Sequence, residues 1–379
     1  MIVNLAEEKT PARSAEPQAT GSGPGSVRWH LTAGQLQGLP EVSGGLVHLS
    51  LADGRLLALD HASGQLRWEV AAGRSVDHAT SFHGGTLFHG LAGGDLLALD
   101  AASGQERWRV PTGVFVPWTQ AADGTVYVYG MGDSVVAVDA SSGEERWQLP
   151  VARPPAWEGI SIQDGTLYVP SNYGVVTAAD AATGAQLWTC TTGAPAGFAP
   201  TVRNGTVYVG ARYGDLRALK GDDGRQLWLV KTLGGLWGEP AVSAGSVYVG
   251  GVGRRLAAFD AATGQRTWVL RTGKWAGSGP VLHEGVLYFG TADGHLWAVG
   301  EDQQGWRLRT RSRLSGPPVA AEGRVYFVTV DGHLWSVEAA TGRILWRLAT
   351  GRPPAHAPMI ADGRILLVTA DHHLWSVEP

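Results

Sequence analysis

Four tryptophans, Trp118, Trp157, Trp237 and Trp275, are the side chains of this 379-residue chain that best suit the binding of a ligand or partner. Aromatic anchors rimmed by charged groups carry much of the binding energy of protein interfaces. Further aromatic, acidic and basic residues occur beside them or at corresponding places along the chain. The residues that we expect to share one binding surface are Phe115, Trp118, Trp157, Glu158, Phe198, Trp237, Glu239, Trp275, Arg313 and His356.

The sequence lacks the patterns that indicate covalent catalysis, phosphate binding or a metal centre: it has no GxSxG, HExxH, P-loop or paired CxxC. Asp77, Glu158 and Glu239 could offer oxygen ligands to calcium, but no EF-hand or Asp-x-Asp-x-Asp spacing accompanies them. Adjacent strand residues point to opposite faces, so His372 and His373 fit a turn better than a metal pair. We therefore predict no catalytic residue and no metal ligand.

Four arginines alternate with other residues near the end of the chain: Arg307, Arg309, Arg311 and Arg313. On a continuous strand they would share one face and could bind an anionic partner. A solvated outer strand and loop is the simpler interpretation.

Nine other tryptophans reveal an internal repeat, because they are spaced 38 to 41 residues apart. A fixed period of roughly 40 residues indicates one supersecondary unit copied along the chain. We expect these nine to pack between neighbouring units, and the same holds for Trp297, Trp335 and Trp375, which share one place in the last three units. The nine docking residues are Trp29, Trp68, Trp108, Trp147, Trp188, Trp228, Trp268, Trp306 and Trp346.

Each unit contains four short runs of strand-forming residues separated by glycine turns. One such turn is Asn204-Gly205, a strong hairpin signal because glycine accepts a positive φ. Four-stranded units of this length are typical of propeller blades. The last unit has three such runs, and Trp29 precedes the first unit, so the N-terminal strand can complete the last blade. The sequence thus predicts an all-β fold, a closed β-propeller of nine four-stranded blades, with eight blades as the alternative.

In such a propeller, the segment before the innermost strand of each blade lines one mouth of the central channel. The aromatic residues outside the repeat and their charged neighbours occupy that segment. Concave sites of this kind commonly bind ligands. Aromatic side chains could equally fill the wide channel of a nine-bladed ring, so binding and plugging both remain open.

Composition limits the classes of function. A net charge of −4 and a pI near 6.3 do not provide the basic face that nucleic-acid binding needs. No apolar run reaches the roughly 18 residues of a membrane span. The single cysteine, Cys190, excludes an internal disulfide, and no secretory signal opens the chain, so we expect a cytoplasmic protein, or an envelope protein if the true start lies upstream. We predict a flexible tail, residues 1–26, and one monomeric propeller domain, residues 27–379.

A motif joins the third and fourth runs of the units and reads A-x-D-x-x-x-G-x-x-x-W. In the first unit its residues are Ala58, Asp60, Gly64 and Trp68. This pattern resembles the tryptophan-docking motif of the PQQ-like quinoprotein β-propeller superfamily, and it recurs over residues 27–379. Further copies are Ala98, Asp100, Gly104 and Trp108, Ala137, Asp139, Gly143 and Trp147, Ala178, Asp180, Gly184 and Trp188, and Ala258, Asp260, Gly264 and Trp268.

Some units depart from that motif, and the superfamily usually has eight blades rather than nine. Lys220 and Gly300 stand in the place of aspartate. Serine and glutamate replace alanine and aspartate in the last two units, at Ser336, Glu338, Ser376 and Glu378.

The resemblance implies two classes of function. The dehydrogenases of the superfamily bind pyrroloquinoline quinone (PQQ) over a tryptophan floor, hold calcium through Glu, Asn and Asp, use an Asp base and often cap the quinone with a disulfide between adjacent cysteines. A lone Cys190 cannot form that disulfide, and the long inserted loops of such enzymes have no counterpart here. Other members are non-catalytic: an outer-membrane assembly scaffold, and sensor propellers attached to bacterial Ser/Thr kinases.

We therefore predict a non-catalytic propeller that needs no cofactor and recognises a protein partner or a small ligand at the aromatic mouth. A PQQ-dependent dehydrogenase, with PQQ and calcium, is the alternative. An envelope assembly scaffold is the second alternative.

Overall fold

The described part of the chain consists of strands, turns and loops. The computed structural model describes residues 23–32, 34–74, 76–113, 118–129, 133–151, 159–193, 198–211, 213–232, 234–236, 238–251, 253–276 and 279–379, with backbone only for residues 76–79. Over these residues there are 36 strands and no helix, and the strands form nine four-stranded sheets. The protein is a nine-bladed β-propeller, as the sequence predicts, and the eight-bladed alternative is wrong.

Eight of the blades each consist of four consecutive strands that pair antiparallel. Blade one has β2 (Leu36–Ser43), β3 (Leu46–Leu51), β4 (Arg55–Asp60) and β5 (Leu66–Ala71), and blade two has β6 (Val76–His83), β7 (Thr86–Leu91), β8 (Asp95–Asp100) and β9 (Glu106–Pro111). Blade three has β10 (Trp118–Ala122), β11 (Thr125–Tyr129), β12 (Ser134–Asp139) and β13 (Glu145–Pro150), and blade four has β14 (Ser161–Gln163), β15 (Thr166–Pro170), β16 (Val175–Asp180) and β17 (Gln186–Thr191).

The next four blades repeat the same order. Blade five has β18 (Thr201–Arg203), β19 (Thr206–Gly210), β20 (Asp215–Lys220) and β21 (Gln226–Lys231), and blade six has β22 (Ala241–Val242), β23 (Ser246–Gly251), β24 (Arg255–Asp260) and β25 (Arg266–Arg271). Blade seven has β26 (Val281–His283), β27 (Val286–Thr291), β28 (His295–Gly300) and β29 (Gly305–Arg309), and blade eight has β30 (Val319–Ala321), β31 (Arg324–Thr329), β32 (His333–Glu338) and β33 (Ile344–Ala349).

The ninth blade combines both ends of the described chain. It contains β34 (Met359–Ala361), β35 (Arg364–Val368) and β36 (His373–Val377), and its outer strand is β1 (Val27–Thr32). The amide of Gly25 donates to the carbonyl of Glu378 at 2.8 Å, and the amide of Glu378 donates to Ser26 at 2.9 Å. The N-terminal strand therefore completes the last blade, as predicted, and pairs an edge that would otherwise be free.

The chain divides into two compact units. One comprises residues 28–191 and 371–374, and the other comprises residues up to 27, residues 192–370 and residues 375–379. In each unit the core lies between adjoining blades: Phe88 packs with Val126 in the first, and Tyr288 packs with Phe327 in the second. The boundary between tail and domain stays a prediction, since residues 1–22 lie outside the described chain.

Asn204 and Gly205 form the two-residue turn expected of them. Their φ angles are 49° and 69°, and Arg203 pairs with Thr206 on either side of them. Two consecutive positive φ angles match the right-handed twist of the flanking strands. The dipeptide therefore sets the register of the first two strands of its blade.

The motif aspartate holds the turn between the third and fourth strands. Oδ1 of Asp60 accepts hydrogen bonds from the amide and hydroxyl of Ser63 at 2.9 and 2.8 Å, and Arg67 binds Oδ2 at 2.6 Å. These donors, the Arg67 guanidinium first, hold the pKa of Asp60 well below its usual range. Two of the residues that replace this aspartate also form ion pairs: Lys220 binds Asp222 at 3.2 Å, and Glu338 accepts from Arg343 at 3.2 Å.

Docking tryptophans lie across the motif glycine of the following blade. A Cβ added to Gly104 would stand 2.7 Å from Cδ2 of Trp68, whose Nε1 donates to the carbonyl of Ala101 at 3.1 Å. In the second unit Trp306 covers Gly342 in the same way, and its Nε1 donates to Ala339 at 2.9 Å. For Trp68 and Trp306, the glycine beneath the ring and the carbonyl beside it both come from the next copy of the motif.

Candidate functional site: the linkers before the first strands

Trp118, the first candidate binding residue, begins the inner strand of blade three. It is half-buried, and its ring stacks on Tyr129 of the paired strand with 6.1 Å between centroids and 15° between planes. Burial raises the pKa of Tyr129 to about 12, so the phenol stays neutral at physiological pH. Trp118 is therefore held in place from one side while part of its ring stays accessible.

Two further aromatic candidates lie in equivalent linkers of the second unit. Phe198 precedes β18 and Trp275 precedes β26, and both are half-buried. The carbonyl of Trp275 accepts a hydrogen bond from the amide of Ala292 at 3.1 Å, which anchors that linker to the turn between the second and third strands of its blade. Each linker can thus present an aromatic side chain from a fixed backbone.

The charged candidates Glu239, Arg313 and His356 occupy equivalent linkers and are exposed. Although Glu239 is exposed, partial desolvation of its carboxyl by the surrounding linkers raises its pKa. Desolvation likewise lowers the pKa of His356. Both shifts favour the neutral forms of the two side chains.

Linkers of neighbouring blades contact one another in the second unit. The hydroxyl of Thr201 donates to the carbonyl of Pro240 at 3.0 Å, and a Cβ at Gly279 would lie 3.2 Å from the amide nitrogen of Glu239. The hydroxyl of Ser315 donates to Pro354 at 3.4 Å. The candidates of this unit therefore stand at the same end of adjoining sheets.

Four candidates, Phe115, Trp157, Glu158 and Trp237, lie outside the described residues, as does the side chain of Asp77. Their convergence with the described aromatics stays a prediction. So does the choice between a binding surface and a plug.

The arginine run does not form the single face that alternation suggested. Strand β29 ends at Arg309, and Arg311 takes a left-handed turn with φ of 64°. The hypothesis of four arginines on one face is wrong, because the chain turns before Arg313. Arg307 instead packs on Trp297, with its guanidinium carbon 5.4 Å from the ring centroid.

A second repeated motif, which the sequence reasoning missed, marks the last three blades. It reads TADGHLW from Thr291, TVDGHLW from Thr329 and TADHHLW from Thr369. In the first copy the Thr291 hydroxyl donates to Asp293 at 2.6 Å and accepts from Nε1 of Trp297 at 3.3 Å. The recurrence of T-x-D-x-H-L-W was the available signal, of which the sequence reasoning used only the tryptophan.

Two buried histidines in the first unit also escaped the sequence reasoning. Nδ1 of His89 lies 3.0 Å from the hydroxyl of Thr80, which lies 3.0 Å from that of Ser50, and Nε2 of His48 lies 3.1 Å from the hydroxyl of Ser43. Desolvation lowers the pKa of His48 to about 4 and that of His89 to about 3. The two rings are therefore neutral parts of the core at physiological pH.

Two features are absent from the described residues: a group of metal-binding side chains and a membrane-spanning helix. No three His, Cys, Asp or Glu side chains of this part of the chain come together as a metal-binding group. No helix in the described ranges could cross a membrane.

Comparisons place these observations among known proteins. A family profile described as outer membrane protein assembly factor BamB matches residues 10–116, 132–235, 214–304 and 300–379. No curated protein matches the sequence. BamB from Moraxella catarrhalis is similar in structure, with 17% identity, a TM-score of 0.62, and coverage of 93% of this chain and 99% of that one.

Enzymes and a designed protein share the fold as well. The quinohemoprotein alcohol dehydrogenase of Comamonas testosteroni has 16% identity and a TM-score of 0.61, over 93% of this chain and 76% of that chain. The computationally designed Ika8 protein has 17% identity and a TM-score of 0.63, over 81% of this chain and 97% of that chain. At these identities the likeness concerns the fold alone.

Proposed function

Because the chain belongs to the family described as outer membrane protein assembly factor BamB, we propose that it is a non-catalytic propeller that binds a protein partner. The binding surface in this proposal consists of the linkers before the first strands. The family match, which runs through nearly the whole chain, is the observation that carries it.

The structural matches differ in how much of each known chain they cover. This chain covers 99% of the Moraxella BamB chain but only 76% of the Comamonas dehydrogenase chain. About a quarter of that enzyme therefore has no counterpart here. The propeller is the part that the Moraxella BamB chain and the Comamonas dehydrogenase have in common with this chain.

The linker side chains support a protein partner. Trp118, Phe198 and Trp275 are each half-buried, so each can bury further apolar area on binding without a large loss of side-chain freedom. Arg313 and His356 stand in equivalent linkers and could rim such a surface. Half-exposed aromatics beside polar groups are the composition typical of interface anchors.

Photo-crosslinking tests this surface. A photoreactive phenylalanine analogue at Trp118, Phe198 or Trp275 should crosslink one partner from all three positions. The partner, once purified, should bind Trp275→Ala at least about tenfold more weakly, because truncating an interface anchor commonly costs about 2 kcal/mol or more.

Leu227 provides the matched control, since it is 40% exposed on the outer strand β21, away from the linkers. The analogue at Leu227 should not crosslink that partner, and Leu227→Ala should bind it normally. Equal crosslinking from Leu227 and the linker positions would contradict the proposal.

A PQQ-dependent dehydrogenase is the second candidate, favoured by the fold shared with quinohemoprotein dehydrogenases. Dye reduction with alcohol or sugar substrates, after addition of PQQ and calcium, measures this activity. We expect no stoichiometric PQQ uptake and no turnover. Uptake with substrate-dependent turnover would replace the scaffold proposal by the enzyme.

The cellular location separates the two scaffold settings that we consider, the cytoplasm and the envelope. We propose the cytoplasm, whereas the family description names the outer membrane. Fractionation of cells that express the full-length gene decides between them.

A further inference from the structure

A cleft of about 930 Å³ opens between blades seven and eight. Its walls include Tyr288, Gln304 and Trp306 of blade seven and Thr341 of blade eight. It lies at the turns between the first and second and between the third and fourth strands. In these sheets that end is opposite to the linkers, so the cleft is separate from the proposed partner surface.

The cleft arises because the docking turn of blade seven is short. Asp60 and Trp68 are eight positions apart in blade one, whereas Gly300 and Trp306 are six apart in blade seven. The first three blades fill this place with an ion pair at 2.6 to 2.7 Å, formed by Arg67 and Asp60, Arg107 and Asp100, and Arg146 and Asp139. In blade seven, glycine stands at both positions of the pair, Gly300 and Gly305, so the space stays open.

A tyrosine side chain lines this space. Tyr288 is 3% exposed as a whole, and its hydroxyl has no hydrogen-bond partner among the described residues. At the equivalent position of blades three, five and six, the hydroxyls of Tyr127, Tyr208 and Tyr248 donate to an oxygen of the next blade at 3.0, 3.4 and 2.8 Å. The Tyr288 hydroxyl can therefore form a hydrogen bond with a ligand in the cleft.

The charge around the cleft is negative. Glu284 and Asp302 contribute carboxylates to its lining, and no Lys, Arg or His is among the described lining residues. His283 lies 3.9 Å from the Glu284 carboxylate but does not line the cleft. Burial, together with the charge of Glu284, raises the pKa of Tyr288, so the phenol remains neutral and can accept a hydrogen bond.

We propose that this cleft binds an organic cation, an ammonium or guanidinium head group held by the Tyr288 hydroxyl and the carboxylates of Glu284 and Asp302. Hydrogen bonds from a cation to carboxylate and phenol oxygens are of the charge-assisted kind. The edges of Trp306 and Tyr288 and the surrounding glycine and alanine residues suit the aliphatic arm of a lysine, an arginine or a small amine.

Calorimetric titration of the whole protein tests the proposal with defined probes. Acetyl-Gly-Arg-Gly-amide, acetyl-Gly-Lys-Gly-amide and cadaverine should bind, and binding should weaken as salt is added. The neutral citrulline tripeptide should not bind. Tighter binding of a tripeptide would indicate a protein-borne side chain as the natural ligand, and tighter binding of cadaverine would indicate a free amine.

Matched variants locate the binding. Tyr288→Phe and Asp302→Asn should each weaken the best probe about tenfold, since the first removes a hydrogen bond to a charged group and the second removes the negative charge that pairs with it. Tyr208→Phe removes the equivalent hydroxyl of blade five and should leave binding unchanged, and circular dichroism verifies that all variants fold. No binding of any cation, equal binding of the citrulline peptide, or full affinity in both Tyr288→Phe and Asp302→Asn would overturn the proposal.

Discussion

At the scale of single residues, most copies of the repeat place a glycine beneath a docking tryptophan. Gly104 has a φ of 72° and lies under the ring of Trp68, while Gly85 has a φ of 77° in a hairpin turn of the same blade. An added Cβ at Gly85 would have only a distant guanidinium nitrogen of Arg107 within reach, at 3.9 Å. Both glycines have a positive φ, but an added Cβ would meet the Trp68 ring at Gly104 and almost nothing at Gly85.

Alanine at these two glycines separates backbone strain from docking. Gly85→Ala should cost about 1–2 kcal/mol, the usual penalty for a left-handed alanine. Gly104→Ala should cost a further 1–3 kcal/mol, roughly, because the methyl group displaces the Trp68 ring. Urea denaturation followed by circular dichroism measures both changes. Equal losses would mean that Trp68 can move without cost.

The buried histidines predict a loss of stability in acid. The pKa of His89 falls from 6.5 to about 3 in the folded protein, and that of His48 falls to about 4. Because the folded state disfavours the charged rings, their contribution is complete above about pH 6.5 and is lost as the pH falls through these folded values. Leu49 of blade one occupies the position equivalent to His89, so His89→Leu should flatten the dependence of the unfolding midpoint on pH between 6.5 and 4. If His89→Leu leaves the pH dependence of the unfolding midpoint unchanged, other groups must cause that dependence.

At the scale of elements, the turns between second and third strands differ between blades. In blade eight the hydroxyl of Thr329 accepts from Nε1 of Trp335, which is 1% exposed and stacks on Phe327 at 5.7 Å. Asp331 lies 3.3 Å from His333 beside it. Burial alone would raise the pKa of Asp331, but hydrogen bonds from Thr329 and His333 outweigh it and lower the pKa. The motif therefore links the polar turn that contains Thr329 to the buried side chain of Trp335 through a hydrogen bond.

A double-mutant cycle tests that connection. Thr329→Val should destabilise the protein by about 1–3 kcal/mol, because it leaves the buried indole N–H of Trp335 without an acceptor. In the background of Trp335→Phe, which has no N–H, the same valine substitution should cost much less. Additive effects in denaturant unfolding would show that the two side chains do not interact.

At the scale of the whole molecule, the propeller depends on an N-terminal strand that belongs to its last blade. Trp29 of that strand lies across Gly64 of blade one, and its Nε1 donates to the carbonyl of His61 at 3.0 Å. The strand therefore pairs with the ninth blade and docks on the first. Strand β36 would present a free edge without it.

Removing the Trp29 ring should destabilise the protein as a whole. The expected cost of Trp29→Ala is somewhat below the roughly 3–5 kcal/mol of a fully buried ring, because Trp29 is half-buried. Trp346→Ala, at a docking residue that is 4% exposed, should reach the full value. Amide exchange should rise in β36 for Trp29→Ala, and unchanged protection of β36 would argue against a closing role for this strand.

The candidate site shows how far sequence reasoning reached. It located Trp118, Phe198 and Trp275 at the entry to the inner strands, because a repeat shows which positions are equivalent. It did not find the cleft beside Tyr288, although the short interval before Trp306 was visible as the 38-residue spacing. A shorter turn can close up or leave a space, and only the packing of blade eight against it decides which.

The sequence by itself determined the number of blades, the strands within each blade and the strand exchange that completes the ninth. These properties follow from local turns and from tryptophan spacing, which are periodic and therefore readable in one dimension. The tertiary structure alone decided that the Tyr288 hydroxyl has no hydrogen-bond partner in the described part of the chain, that His89 lies neutral in the core, and that the arginine run turns away after Arg309. Each of these depends on what the neighbouring blade or turn places beside the residue, and desolvation and hydrogen bonding are set by such neighbours rather than by position along the chain.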